Sequence, residues 1–176
     1  MRLLGLLLLA SVVAACGDDF ATLEPDNPTR AADGLVFTRA DGSSYEMKDA
    51  VATCRPSEQK PGVEVVRLTA PASVEESNQP PVFTVESLPG ATGTFTLPLE
   101  ERAYDAGPSD LTLFALDSRR KNELSGSVEE ATGKVTVREA TCDPEPRLSL
   151  TIDARLASEI GLPPLRVTGG MASTGR

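Results

Sequence analysis

Two patterns of apolar residues divide the chain. From Leu3 to Val13 it is apolar, broken only by Gly5 and Ser11. From Gly34 onward it changes to short runs of alternating apolar and polar residues, separated by turn-forming residues. A period of two places successive side chains on opposite faces of a strand. The clearest run has Leu148, Leu150, Ile152, Ala154 and Leu156 alternating with Arg147, Ser149, Thr151, Asp153 and Arg155. Such a strand has one buried and one solvated face, and a slip of one residue would exchange them.

Other runs carry the same signal more briefly. Leu35 to Arg39 and Ser43 to Met47 flank Asp41-Gly42, which predicts a hairpin with a two-residue turn. Val51 to Arg55 and the β-branched Val63 to Leu68 follow, with a polar loop at Pro56–Gly62 between them. Thr69–Pro81 reads as a long loop. Phe83 to Glu86 and Phe95 to Leu99 are separated by the Pro89-Gly90 turn, and Pro98 marks an edge or a strand end. Asp110–Leu116 is strand-like. Leu124–Val128 and Lys134–Arg138 flank Thr132-Gly133 and read as another hairpin. Leu165–Thr168 closes the series. A short helix is predicted at Leu99–Asp105, and a single helical turn at Ala157–Leu162. No long segment of helical period supplies crossover helices. The chain is therefore expected to be all-β: an antiparallel β-sandwich of about nine short strands over residues 34–176, with a barrel as the alternative.

The first segment has a different logic. Arg2 supplies its only positive charge, and Val13-Ala14-Ala15-Cys16 places small residues just before a cysteine. A charged end, a short apolar core and small residues are the parts of a secretory signal. The run is too short to span a membrane, which takes about 20 apolar residues, and Gly17-Asp18-Asp19 ends it. These sixteen residues resemble the lipobox of bacterial envelope lipoproteins. The resemblance implies that residues 1–15 are cut off and that Cys16 becomes an acylated first residue. Several buried acyl chains hold a protein far better than one, at about 0.8 kcal/mol per CH₂. An ordinary cleaved leader with Cys16 as a free thiol is the alternative. In that family Asp directly after the cysteine favours the inner membrane. Gly17 holds that position here, which leans towards the outer membrane, facing the periplasm. Residues 16–33 are polar, contain Pro25 and Pro28, and read as a flexible tether.

Charge narrows the partners. Removing residues 1–15 takes away Arg2 alone and leaves 16 basic and 26 acidic residues, a net charge of −10. An acidic surface disfavours nucleic acid and anionic lipid headgroups. With no Trp, five Phe and two Tyr, the core is expected to be aliphatic. After Cys16, the remaining cysteines are Cys54 and Cys142. Export to an oxidising compartment makes a disulfide the simplest reading of that pair. Separate thiols or a redox pair are the alternatives, although neither cysteine lies in a C-x-x-C motif.

Catalytic chemistry has few footholds. The chain has no histidine, which removes Ser-His-Asp and Cys-His catalysis and histidine metal sites. Ser57–Lys60 and Ser118–Lys121 match Ser-x-x-Lys, but the Ser-Asp-Asn and Lys-Thr-Gly partners of that motif are missing. Asp105 and Asp110, with carbonyls near Gly107, are weak candidates for an oxygen-ligated Ca²⁺, as are Asp143 and Glu145. No EF-type spacing occurs, so the bland reading is solvated loops, with no metal and no cofactor.

The segment from Gly133-Lys-Val-Thr-Val to Arg166-Val-Thr-Gly-Gly also resembles the closing meander of small β-sandwich lipoproteins. That resemblance covers about forty residues and implies no catalytic group. The function expected is a non-catalytic, lipid-anchored binding or assembly module. Its partners would be the membrane, through Cys16, and a protein or other envelope component. A small carboxylate-based or metal-assisted enzyme and a carrier of an apolar ligand are the alternatives.

Overall fold

The computed structural model describes residues 34–58, 60–70, 82–100, 109–117 and 122–175. Within them the alternating runs become strands: β1 (Gly34–Arg39), β2 (Ser44–Met47), β3 (Val51–Pro56), β4 (Glu64–Ala70), β5 (Val82–Ser87), β6 (Gly93–Leu97), β7 (Leu111–Asp117), β8 (Asn122–Ser125), β9 (Thr132–Thr141), β10 (Arg147–Leu156) and β11 (Leu165–Thr174). Every run read from the sequence overlaps a strand, although Leu124–Val128 shares only Leu124 and Ser125 with β8, and the count is eleven rather than about nine. No helix occurs among the described residues.

The strands form a six-stranded sheet, β2-β1-β11-β10-β9-β6, and a five-stranded sheet, β3-β4-β5-β7-β8. Both are antiparallel, and their inner faces share one core. They do not close on each other, so the fold is a sandwich and the barrel alternative fails. The first described strand lies beside the last, from Gly34↔Gly170 to Arg39↔Leu165.

The β10 pattern packs as its period requires. Leu148, Leu150 and Leu156 are fully buried, with Ile152 and Ala154 beside them. In β9 the alternation slips: Val135, Val137 and Ala140 are buried, and Arg138 is an extra residue where the register shifts against Ser149 and Leu150. A bulge of this kind moves the inward phase by one residue. The core is mostly aliphatic, but its centre holds an aromatic pair. Phe37 of β1 and Phe83 of β5 meet edge to face across the sheets, with ring centroids 5.5 Å apart. Truncating a buried leucine such as Leu150 removes about 2–5 kcal/mol, because transfer and cavity costs add.

Several local expectations need correction. The β1–β2 hairpin forms, but its loop has three residues, Ala40 to Gly42. Gly42 N–H donates to the Arg39 carbonyl and Arg39 N–H to the Ser43 carbonyl, both at 2.9 Å. Gly42 takes φ 82°, the left-handed position of a three-residue turn. Asp41 Oδ1 braces the loop by accepting from Ser43 N–H at 3.0 Å and Ser43 Oγ at 2.7 Å.

The hairpin read around Thr132-Gly133 does not exist. β8 belongs to the five-stranded sheet and β9 to the six-stranded one. Gly133 lies inside β9 with φ 113°, and a Cβ there would come within 2.6 Å of Ala154 Cα on β10. This glycine serves close strand approach, not a turn. The helical turn at Ala157–Leu162 is also absent. Ala157 bridges to Ser125, and Gly161 N–H closes a tight turn on the Ser158 carbonyl at 3.1 Å. Pro163 and Pro164 then offer no donors to extend a helix. The helix expected at Leu99–Asp105 and the loop at Thr69–Pro81 lie mostly outside the described residues.

Candidate functional site

The residues singled out by chemistry do not converge on one place. Cys54 of β3 and Cys142, just after β9, form a disulfide with Cα atoms 5.8 Å apart. The bond ties an edge of the five-stranded sheet to the six-stranded one. Ser57 Oγ accepts the Lys60 backbone N–H at 3.3 Å, so the first Ser-x-x-Lys copy braces its own loop. The second copy, Ser118–Lys121, lies outside the described residues, as do Cys16 and Asp105. Asp110 precedes β7, and its carbonyl accepts Leu88 N–H at 3.1 Å and Ser87 Oγ at 3.2 Å. Asp143 and Glu145 are exposed between β9 and β10, and Glu145 takes two hydrogen bonds from Arg147. That contact raises the Arg147 pKa, through the hydrogen bonds first and the charge second. Among the described residues no three His, Cys, Asp or Glu side chains are grouped to hold a metal.

Two arginine clusters were not singled out in the sequence. Arg39 ends β1 and Asp117 ends β7, so each comes from a different sheet. Arg39 Nη2 donates to Asp117 Oδ1 at 2.8 Å, and Nε donates to Oδ2. The Tyr45 ring lies 4.2 Å from the guanidinium carbon. Hydrogen bonding to Asp117 holds the Arg39 pKa well above the usual arginine value; burial opposes this, and Tyr45 adds to it. A signal for the pair exists in the sequence. Arg39 is in phase with Leu35 and Phe37, and Asp117 with Leu111, Leu113 and Ala115, so both follow the buried face.

The second cluster lies on the outer face of the five-stranded sheet. Glu86 of β5 stands opposite Arg67 of β4 and pairs with it. Arg55 of β3 reaches both Glu86 and Glu58, each at 2.9 Å. A small cavity of about 100 Å³ beside Arg55, Ser57 and Thr112 faces this network. Two guanidinium groups and two carboxylates balance there, so no net charge is left to select an ion.

A groove lies at the other edge of that sheet, among the described residues. Phe114 on β7 points outward and is 42% exposed, and Ile160 in the turn after β10 is 78% exposed. Glu123 and Ser125 of β8, with Val128 and Glu159, line the same groove, whose volume is about 390 Å³. Ser125 is opposite Phe114 in the ladder, so their side chains share the outer face. The chemistry on offer is apolar contact, two carboxylates and a strand edge. A period-two reading of β7 puts Phe114 and Leu116 together on the outward face, and the structure leaves Phe114 the more exposed of the two.

Comparison of the chain with known protein families, with curated proteins and with solved structures finds no match.

Proposed function

We propose that this protein is a lipid-anchored component of a bacterial envelope whose β-sandwich binds a protein partner and performs no catalysis. The observation that carries the binding reading is the groove beside Phe114 and Ile160. Among the described residues the exposed large apolar side chains are Val36, Phe114 and Ile160, and the two most exposed of them line this groove together. Contiguous exposed apolar surface on a small domain marks an interaction site. The anchor rests on the lipobox resemblance at Val13-Ala14-Ala15-Cys16. A tether over residues 16–33 has a maximum reach of about 55–60 Å at roughly 3.3 Å per residue. That length lets the domain search for a partner while it remains at the membrane.

The anchor is tested by labelled palmitate and membrane fractionation. The wild type takes up label and sediments with membranes, and Cys16→Ser does neither. Membrane association that survives Cys16→Ser removes the anchor reading. For the non-catalytic reading, a screen against ester, peptide, phosphate and glycoside substrates is expected to show no turnover. Turnover that disappears in Asp110→Asn promotes the enzyme alternative.

A further inference from the structure

We infer that the groove takes an extended, basic segment of a partner protein as an added strand on the edge of β8 that no described strand covers, an inference that rests on the binding reading above. The edge already accepts one such pairing from within the chain. Ser125 N–H donates to the Ala157 carbonyl at 2.8 Å, and Ala157 N–H donates back to the Ser125 carbonyl at 3.2 Å. The pairing stops after that bridge because the chain turns at Ser158–Gly161. Backbone groups two residues apart point to the same side of a strand, so the N–H and C=O of Glu123 face outward with those of Ser125. Among the described residues no strand pairs with that side of β8 below Ser125.

The side chains around this edge set the chemistry of the occupant. Phe114 and Ile160 both line the groove beside this edge, so an added strand would find apolar contacts there. Glu123 and Glu159 are exposed at the same place, and among the described residues no Lys or Arg lines the groove. Arg119, Arg120 and Lys121 lie outside the described residues and are assigned no place in it. Apolar positions alternating with Lys or Arg therefore complement the site. Main-chain hydrogen bonds would supply affinity, and the alternating side chains selectivity. The net charge of −10 after Cys16 favours the same sign of partner and makes the encounter sensitive to salt.

The test presents a library of short random peptides to the full-length chain purified in detergent. Enriched peptides should alternate apolar residues with Lys or Arg. Binding of the best peptide should fall roughly tenfold or more in Ile160→Asp, as for an interface anchor. Phe114→Asp should act in the same direction, and circular dichroism separates lost binding from lost fold. Because Ile160 sits in an exposed turn, its variant keeps the test valid if Phe114→Asp misfolds. Methylating alternate backbone nitrogens of the peptide should abolish binding. Binding at the groove that survives methylation overturns strand addition and leaves the binding reading standing. Enrichment of acidic peptides, or a dimer of this chain that Ile160→Asp dissociates, overturns the basic-partner inference. Peptide binding unaffected by either substitution removes this groove, and with it the observation that carries the proposed function.

Discussion

Arg39 and Arg55 use the same chemistry in different places, and the difference decides what each can do. Arg39 and Asp117 sit between the sheets, with side chains 3% exposed on both sides of the pair. Arg55, Arg67 and Glu86 lie on one sheet's outer face, at 27%, 32% and 23%. Removing two charges from water costs several kcal/mol each, which only good geometry and complete hydrogen bonding can offset. Arg39 meets that demand by gripping both carboxylate oxygens while Tyr45 covers its face. The outer network avoids most of the cost because water still reaches it, and water also screens what it gains. Arg39 with Asp117 joins one sheet to the other, whereas the outer cluster joins neighbouring strands within a single sheet.

The disulfide is the covalent tie between the sheets and gives the largest expected effect. It closes a sequence separation of 88 residues, which chain-entropy reasoning values at roughly 4–5 kcal/mol. Cys54→Ala with Cys142→Ala should lower the chemical denaturation midpoint accordingly, and an unchanged midpoint would show that the bond contributes nothing. Asp117→Ala comes next, at about 3–5 kcal/mol, because it leaves a guanidinium buried without its partner. Replacing both partners, as Arg39→Met with Asp117→Leu, should recover most of that loss. If the double variant is no better than the single one, the cost lies in packing and not in the orphaned charge.

The raised pKa of Arg39 carries a sign. Its stabilisation is fully present below the ordinary arginine value and is lost only as pH rises through the folded value. The stability difference between wild type and the double variant Arg39→Met with Asp117→Leu, which strands neither charge, should therefore stay constant from about pH 6 to about pH 9. A slope across that range in urea melts would contradict the assignment.

On the outer face the effects shrink. Glu86→Gln should cost about 1 kcal/mol or less, and added salt should reduce the difference. A loss as large as that of Asp117→Ala would erase the distinction between the clusters. Arg166→Ala removes the exposed pair with Asp153, whose side chains are 62% and 71% exposed. Its effect on the melting midpoint should lie within about 0.5 kcal/mol.

Local physics was legible in the residues. Period-two alternation identifies β10 and its inward face because a strand has no other way to place Leu148, Leu150, Ile152, Ala154 and Leu156 together. The Asp41-Gly42 turn is readable because few residues tolerate φ 82°. The cysteine count, with the oxidising compartment expected from the leader, points to Cys54 and Cys142 for the same kind of reason: few pairings were available. The position of Arg39 in phase with Phe37 already says that a charge is buried, but not what meets it.

The partner is a tertiary fact. Asp117 lies 78 residues away, and nothing in either segment encodes the sandwich that brings them together. The pairing of β1 with β11 is of the same kind, since strand neighbours far apart in sequence are selected by the whole core and not by any turn. Tertiary structure also separates β8 from β9 and turns Gly133 from an apparent turn residue into a place where two strands touch. Among the described residues it also leaves the edge of β8 before the Ser125 bridge without a partner strand, beside Phe114 and Ile160. Alternation states which face of a strand is buried, but only the assembled sheets decide which edge remains unpaired, because backbone donors and acceptors are alike in every strand.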